Sequence, residues 1–250
     1  MMRGYTATTT RILRQLRADR RTVAMVLLVP SVLLILLYFV YHDSPGFPGA
    51  PTLFDRVGIT MLGIIPFIVM FLITVITMQR ERSTGTLERL MTTPLSKLDL
   101  LAGYGTAFSV AAAAQAGVAC LIAFWLLALH AAGSVWLVVL IAVLDAVLGV
   151  ALGLLASAFA RTEFQAVQFM PLIVGPQLFL CGLLAPRDQL PRWLQIISDV
   201  LPLSYAVHAL QEVSNNPGAT AVMWRDLTVV AGFVAMALAL AAATLRRRTA

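Results

Sequence analysis

Charged residues are scarce in this sequence, which excludes an ordinary soluble domain. Only 12% of the 250 residues are charged, against about 25% in a typical soluble domain, whereas 60% are apolar. The mean hydropathy is +0.87, and several uncharged runs are long enough to cross a bilayer. These runs are continuous rather than alternating, which disfavours a transmembrane β-barrel. The sequence therefore predicts an all-α polytopic membrane protein.

Motifs of the common enzyme classes are also missing. The only lysine, Lys97, does not follow a GxxxxG segment, and the HExxH, GxSxG and CxxC motifs do not occur. The three histidines are isolated in three predicted loops: His42, His130 and His208. Cys120 and Cys181 lie in apolar segments without metal-type ligands beside them, so we expect buried free thiols. The sequence predicts no catalytic residue, no metal site and no cofactor bound by this chain.

Six apolar runs are long enough to cross a bilayer as helices. We place them at about residues 22–41, 57–78, 100–129, 135–160, 168–185 and 226–244. Pro171 and Pro176 predict a kink in the fifth of these runs. Residues 42–56 are rich in proline and glycine and predict a loop.

The segments outside these runs predict helices at the membrane surface. Residues 1–21 hold six arginines, and three apolar residues follow helical spacing on one side, which predicts a cytoplasmic amphipathic helix: Ile12, Leu13 and Leu16. Residues 186–225 mix apolar and polar residues without a run long enough to span. We expect short interfacial or re-entrant helices there, broken at Pro191 and Pro202 and anchored at the interface by Trp193 and Tyr205.

The basic residues orient the six predicted spans. With both termini in the cytoplasm, 14 of the 18 lysine and arginine residues fall on the cytoplasmic side. The four that fall outside are Arg56, Arg187, Arg192 and Arg225. Because the net charge of +6 comes from residues at the ends of apolar runs, we expect a lipid bilayer and no nucleic acid as partner.

Asp145 is the one acidic residue deep inside a predicted span, where a carboxylate is costly. Asp145, Gly149 and Gly153 are spaced by four and share a helix face, and the two glycines form a GxxxG motif that lets another helix approach closely. Two interpretations stay open. Asp145 is either a polar group in a substrate path or proton relay, or a neutral or hydrogen-bonded residue that fixes helix packing, and we favour the second.

A polar island, residues 80–98, separates the second and third predicted spans and holds four basic and two acidic residues. Three of its apolar residues are spaced like one face of a short helix: Leu87, Leu90 and Met91. Pro94 disfavours helical geometry before it, and Ser96 and Asp99 resemble a capping box that opens the third span. A short amphipathic helix at the cytoplasmic surface and a plain solvated loop fit this pattern equally well.

The island sequence ERSTGTLERLMTTPLS resembles the cytoplasmic signature of ABC-2 type transporter permeases, approximately ERExGTLExLxxTP. The matching positions are Glu81, Arg82, Gly85, Thr86, Leu87, Glu88, Leu90, Thr93 and Pro94. Ser83 stands where the family often has an acidic residue, and this difference could weaken one ionic contact with a partner. The resemblance implies that the island is a coupling helix that docks an ATPase.

A second segment, PRDQLPRWLQIISDVLPLSYAVHAL, resembles the late external segment of the same family. Its matching positions are Pro191, Trp193, Leu194, Pro202, Leu203 and Tyr205. Two motifs in the expected order within a six-span frame cover essentially the whole chain, so the resemblance implies a single ABC-2 type transmembrane domain over residues 1–250.

The resemblance also implies partners for this chain. Permeases of this family pair with a separate ATP-binding cassette subunit, which binds ATP and Mg²⁺, and two permeases with two ATPases form the working exporter. The two permeases are identical or related, and the pathway runs between them, along the second and fifth spans. The drug-resistance group is the most similar, which implies export of a drug, antibiotic or lipid across a bacterial plasma membrane.

Two functions of other classes remain open from the sequence. A proton-coupled secondary transporter would use Asp145 as its relay, but the inverted repeat common in such proteins is not evident. An accessory membrane protein would assemble other components without moving a substrate, and it would purify without an ATPase.

Overall fold

The structure is a computed structural model that describes residues 2–41, 52–86, 89 and 96–244. Helices make up 86% of the structure, and no strand occurs within these ranges. The prediction of an all-α protein is therefore confirmed.

The helices of the described ranges are, in chain order, α1 (Met2–Ala18), α2 (Arg20–Tyr41), α3 (Leu53–Ser83), α4 (Lys97–Leu121), α5 (Val135–Ser157), α6 (Glu163–Phe169), α7 (Gly175–Leu180), α8 (Arg192–Val200), α9 (Pro202–Asn215) and α10 (Ala221–Thr244). A π-helical segment, Ile122–Leu126, continues α4, and a second one, Met170–Val174, joins α6 to α7. A 3₁₀ turn, Arg187–Gln189, precedes α8.

Within the described ranges, five helices are long and apolar enough to cross a membrane: Arg20–Tyr41, Leu53–Ser83, Leu98–Leu126, Val135–Ser157 and Ala221–Thr244. They correspond to the first, second, third, fourth and sixth predicted spans, and they support a multi-pass membrane protein. The region of the predicted fifth span is instead divided into α6, the π-helical segment and α7, of 7, 5 and 6 residues. Pro171 lies in the π-helical segment and Pro176 in the first turn of α7, so the backbone leaves regular α geometry where a kink was predicted.

Helices α3 and α10 begin several residues earlier than the hydropathy pattern predicts. Helix α3 starts at Leu53 rather than at residue 57, because the Asp55 N–H donates to Thr52 Oγ1 (3.1 Å) and the Thr52 N–H donates to Asp55 Oδ2 (3.0 Å). Helix α10 starts at Ala221 rather than at residue 226, and the Met223 N–H donates to Thr220 Oγ1 (3.1 Å). Polar capping residues therefore extend both helices beyond their apolar runs.

The long helices alternate in direction between two ends of the bundle. At one end, named the island end, Arg11 of α1 meets Glu81 at the end of α3 and Tyr104 near the start of α4. At the opposite end, named the far end, the His130 N–H donates to Asp55 Oδ1 (2.8 Å). The N–H of Gly133 donates to the Val213 carbonyl (3.0 Å) at this same end, which brings the α4–α5 loop to the end of α9.

Helices α3 and α5 form the centre of the bundle. In each of them 61% of the most apolar stretch is buried, against 22% in α2 and in α10. Helices α2 and α10 therefore leave most of their apolar surface uncovered by the chain, as expected of helices that face lipid.

Candidate functional site

The polar island begins with a change of direction at Gly85. Helix α3 ends at Ser83, and both the N–H and Oγ1 of Thr84 donate to the Arg80 carbonyl (3.0 and 2.9 Å). Gly85 has φ +70°, a left-handed conformation that other residues adopt at a cost. The Arg89 N–H donates to the Gly85 carbonyl (3.0 Å). A glycine at this position lets the chain leave α3 in a new direction.

The structure describes part of the predicted coupling motif. Four of its positions lie in the described ranges: Glu81, Arg82, Gly85 and Thr86. The other five lie outside the described residues: Leu87, Glu88, Leu90, Thr93 and Pro94. Beyond them, the Asp99 N–H donates to Ser96 Oγ (2.9 Å), so α4 opens at the cap that the sequence predicted.

Glu81 points into the bundle. Its side chain is 8% exposed, and its Oε2 lies 3.9 Å from Nη2 of Arg11 on α1. The same Arg11 nitrogen donates to the Tyr104 hydroxyl on α4 (2.7 Å). Within the described part of the chain, Glu81 Oε2 accepts no hydrogen bond. The acid that opens the signature therefore links the end of α3 to α1 and α4.

Helix α1 packs closely against the first turns of α4. A Cβ on Gly103 would lie 2.7 Å from Thr8 Cγ2, so the glycine gives α1 room to approach. The Tyr5 and Thr106 hydroxyls lie 2.9 Å apart and add a polar contact one turn further along. Ile12, on the predicted apolar side of α1, is buried. Helix α1 is thus part of the bundle at the island end.

Arg80 connects the island to α6. Its Nε and Nη2 donate to the two carboxylate oxygens of Glu163 at 3.0 and 3.3 Å. Both side chains are exposed, so solvent screens the pair and its contribution to stability is small. This pair joins the end of α3 to the start of α6.

Asp145, Gly149 and Gly153 lie along the contact between α5 and α3. A Cβ on Gly149 would lie 2.3 Å from the Phe67 carbonyl oxygen, and one on Gly153 would lie 2.8 Å from the Phe71 carbonyl oxygen. One turn before Gly149, Asp145 Oδ2 lies 3.0 Å from the position that a Cβ on Gly63 would take.

Asp145 is completely buried at this contact. Neither of its carboxylate oxygens has a hydrogen-bond partner among the described residues. The structure therefore places Asp145 at a packed helix contact, and among these residues no titratable group that could relay a proton bonds to it.

The second motif lies around the turn between α8 and α9. Pro191 immediately precedes α8, and Pro202 is the first residue of α9, so helices break at the two predicted prolines. Trp193 is 63% exposed, as expected of an interface anchor, and Leu194 is partly buried. Leu203 is buried, and its N–H donates to Gln177 Oε1 (3.2 Å).

Polar contacts hold this turn together. The Tyr205 hydroxyl donates to the Asp199 carbonyl (2.8 Å), and Arg187 pairs with the Asp199 carboxylate while lying over the Tyr205 ring. The Ser198 and Ser204 hydroxyls, both buried, lie 3.0 Å apart. The motif therefore fixes the angle at which α9 enters the bundle.

His208 is not isolated, contrary to the expectation from the sequence. It lies on α9, and its Nδ1 is 2.5 Å from Oδ2 of Asp226 on α10. Asp226 is completely buried, and its Oδ1 accepts two hydrogen bonds from Arg225, at 2.8 and 3.1 Å. Because α10 begins five residues earlier than predicted, Asp226 lies inside the helix. The only indication of this contact in the sequence is that a histidine and an acidic residue lie on neighbouring segments.

A known protein family matches most of this chain. The model of the family described as "ABC-2 type transporter" matches residues 4–214, which include the island and the turn between α8 and α9. The chain belongs to the ABC-2 type transporter family.

The curated relatives that this chain matches are named as transporters or permeases. The probable multidrug ABC transporter permease YbhR of Escherichia coli is 25% identical over 168 residues, which cover 67% of this chain and 46% of that protein. The linearmycin resistance permease protein LnrN of Bacillus subtilis is 31% identical over 169 residues, covering 67% and 42%. The ABC transporter G family member 20 of Dictyostelium discoideum is 29% identical over 153 residues, covering 61% and 21%.

The chain spans about half the length, or less, of the curated relatives that it matches. The family and the fold together support a multi-pass membrane protein of the ABC-2 type transporter family. Among the described residues, no group of three or more histidine, cysteine, aspartate or glutamate side chains could hold a metal ion.

Proposed function

We propose that this chain is the membrane-spanning permease of an ATP-driven exporter that moves a hydrophobic or amphipathic compound out of a bacterial cell. A separate ATP-binding cassette subunit hydrolyses ATP, and two permease copies enclose the pathway. The chain has six spans, with Glu163–Leu180 as the fifth, and both termini are cytoplasmic. The observation that carries this proposal is the match of the ABC-2 family over residues 4–214.

The island is the place where we expect the ATPase to act. It leaves α3 at Gly85, and it is linked to α1 and α4 through Glu81 and to α6 through Arg80. Closure of an ATPase dimer against the island would therefore move several helices together, as in rigid-body switching. Because Glu81 is buried, we propose that it transmits this movement and that exposed island residues contact the ATPase.

The names of the relatives support a drug or antibiotic as substrate. Multidrug transport and linearmycin resistance are stated for two of them. The lipid-facing surfaces of α2 and α10 and the small residues at helix contacts agree with an apolar or amphipathic cargo. We propose that this chain also moves an apolar or amphipathic compound, which is a drug, an antibiotic or a lipid.

Transport in vesicles tests the proposal. The chain and its ATPase are reconstituted together, and uptake of a fluorescent cationic drug into inside-out vesicles is followed with ATP, without ATP and with vanadate. We expect uptake that requires ATP and stops with vanadate. Replacing Glu81, Gly85 and Glu88 together by alanine should abolish uptake while the ATPase alone stays active.

Two results would contradict the proposal. Uptake that continues without any ATPase and fails in Asp145→Asn would indicate a proton-coupled transporter. A purified chain that never retains an ATPase, in vesicles that move nothing, would indicate an accessory assembly protein.

A further inference from the structure

Four exposed arginines lie where α1 meets α2. Arg14 and Arg17 belong to the last turns of α1, and Arg20 and Arg21 begin α2, with Asp19 between the two helices. Among the described residues, none of the four arginines forms an ion pair. This basic junction, residues 14–21, therefore presents a cluster of positive charges to its surroundings.

Asp19 does not neutralise the basic junction. It is the only acidic residue among residues 1–41, so one carboxylate stands against four guanidinium groups. Its Oδ1 accepts a hydrogen bond from the Thr22 N–H (3.2 Å), and its Oδ2 accepts one from Thr22 Oγ1 (2.6 Å). Asp19 therefore caps α2, and a further anion has to come from outside these two helices.

Helix stability does not explain these arginines. Arg20 and Arg21 lie in the first turn of α2, which holds no acidic residue, and the positive end of the helix dipole disfavours cations there. Arg14 and Arg17 are three residues apart on α1 and are neighbours on its surface, so their charges repel each other. An anion bound at the basic junction would offset both effects.

Arg14 and Arg17 lie on the side of α1 that the bundle leaves uncovered. Ile12 is buried, and Thr8 packs against Gly103 of α4. With 3.6 residues per turn, the two arginines lie roughly opposite Ile12 around the helix. Helix α1 therefore contacts the bundle through one side and offers guanidinium groups to the surroundings on the other.

The basic junction borders the apolar surface of α2. Met25 and Leu28 of this helix are 65% and 59% exposed, as expected of residues that face lipid. Met25 follows Arg21 by four residues, which is about 6 Å along a helix. The headgroup layer on each side of a bilayer is roughly 5–8 Å thick. With Met25 at the edge of the hydrocarbon core, Arg20 and Arg21 therefore lie among the lipid phosphates.

Lipid phosphates fit this arrangement better than an acidic protein surface does. A guanidinium group can donate two parallel hydrogen bonds to the oxygens of one phosphate. Clusters of basic residues beside a membrane span also attract anionic lipids. An ATPase would have to enter the headgroup layer to contact Arg20 and Arg21, so the depth of the cluster favours lipid.

We propose that the basic junction binds the headgroups of anionic phospholipids and thereby holds α1 on the bundle. The guanidinium groups donate hydrogen bonds to phosphate oxygens. Phosphatidylglycerol and cardiolipin carry the required net negative charge, whereas phosphatidylcholine carries none. This binding goes beyond the proposed function, because it needs only the chain in a bilayer and is the same for any transported compound.

Lipid retention measures this binding. The full chain is purified into nanodiscs of phosphatidylcholine with a minority of phosphatidylglycerol and released for native mass spectrometry, which counts the lipids that stay bound. We expect the wild type to retain phosphatidylglycerol in preference to phosphatidylcholine. The double variant Arg17→Gln, Arg20→Gln should bind phosphatidylglycerol roughly ten- to thirtyfold more weakly, since each arginine near an anionic surface contributes roughly fivefold. Both leaflets have the same composition, so the result does not depend on the orientation of the chain.

A charge-matched control separates the basic junction from the charge of the whole chain. The double variant Arg161→Gln, Arg192→Gln removes two exposed arginines elsewhere and should retain phosphatidylglycerol like the wild type. An equal loss in this control would overturn the proposal, and so would a wild type that shows no preference between the two lipids.

A second pair of substitutions keeps the test decisive if Arg17→Gln, Arg20→Gln does not fold, which circular dichroism and size-exclusion chromatography would show. Arg17→Lys, Arg20→Lys keeps both charges and should retain most of the bound phosphatidylglycerol. Loss of the lipid from a folded lysine variant to the level of phosphatidylcholine would contradict binding by charge at this junction.

Hydrogen exchange tests whether the lipid holds α1 on the bundle. In the wild type, the α1 amides should exchange several-fold more slowly in nanodiscs with phosphatidylglycerol than in phosphatidylcholine alone, while the α3 amides keep their rate. This difference should disappear in Arg17→Gln, Arg20→Gln. Equal α1 exchange of the wild type in the two lipids would overturn the holding role.

The alternative occupant, an acidic surface of the ATPase, has its own outcome. Retention of phosphatidylglycerol by Arg17→Gln, Arg20→Gln, together with loss of an ATPase that co-purifies with the wild type, would assign the basic junction to that subunit and overturn the lipid proposal. Lipid retention itself is measured without ATPase or nucleotide, so failure of the transport assay would leave its result unchanged.

Discussion

Gly149 lets α5 approach α3 closely, because its missing side chain makes room for the Phe67 carbonyl. In Gly149→Ala the new Cβ would lie 2.3 Å from that oxygen, so the two helices must separate. We expect a loss of about 1–3 kcal/mol of stability, as for other overpacked contacts. The measurement is the thermal unfolding midpoint of the purified chain in detergent.

Gly117→Ala is the matched control for this prediction. A Cβ on Gly117 would meet no atom within 4 Å, and alanine favours a helix by about 1 kcal/mol over glycine. Its midpoint should therefore stay level or rise. Equal destabilisation by both substitutions would show that the close approach at Gly149 does not matter.

Gly85 illustrates a different demand on a glycine, because its neighbourhood is open and only its backbone is restricted. A Cβ there would meet nothing within 4 Å, but φ is +70°. We expect Gly85→Val to impair ATP-coupled transport strongly, and Gly85→Ala to cost about 1–2 kcal/mol of local backbone strain. Gly85→Asn should retain most transport activity, since asparagine tolerates this backbone conformation. Vanadate-sensitive uptake measures all three, and a fully active Gly85→Val would contradict the role given to this turn.

At the scale of whole elements, α9 is held by polar contacts at several points along its length. Leu203 and most of its apolar side are buried, and His208 reaches Asp226 on α10. In Asp226→Asn the buried charge is lost, and we expect the contact to weaken by about 1–3 kcal/mol. Hydrogen exchange should then become roughly tenfold faster for the α9 amides, while the α2 amides keep their rate.

Asp188→Asn serves as the control, because Asp188 is exposed and its carboxylate forms no ion pair with α9 or α10 among the described residues. It should leave exchange in α9 unchanged. Uniform acceleration across the molecule in Asp226→Asn would indicate general loss of stability rather than release of α9.

The helices differ in how far their features could be predicted from the sequence. Long apolar runs predict α2 to α5 and α10 directly, because each is one continuous run between polar segments. The first residues of the helices were less predictable. Thr52 and Asp55 are polar, so hydropathy assigns them to the loop, whereas in the structure they cap α3. The contact of His208 with Asp226 joins two helices across a loop, and no periodicity in the sequence reports it.

Glu81 shows the same limit in the candidate site. The signature predicts that this acid matters, but a charged residue beside a membrane span is normally expected to face water. Its inward orientation depends on Arg11, which lies 70 positions earlier in the chain, and on the packing of α1 against Gly103. The sequence could predict the residue and its end of the bundle, and only the fold shows which way its side chain points.

At the scale of the whole molecule, the path from α5 to α10 decides the number of spans. Helix α6 starts at the island end, where Glu163 meets Arg80, and α9 ends at the far end, where Val213 meets Gly133. The chain must therefore pass from one end to the other between these points. Either Glu163–Leu180 makes this crossing, as proposed, or α8 and α9 make it.

Labelling of single cysteines with a membrane-impermeant maleimide in intact cells distinguishes the two paths. The native Cys120 and Cys181 are buried and should contribute little background. We expect exposed sites at Ala219→Cys and Asp188→Cys to react from outside, and Ser83→Cys to react only after permeabilisation. If Asp188→Cys instead behaves like Ser83→Cys, the segment before α8 lies on the island side, so Glu163–Leu180 turns back without crossing and α8 and α9 carry the chain to the far end.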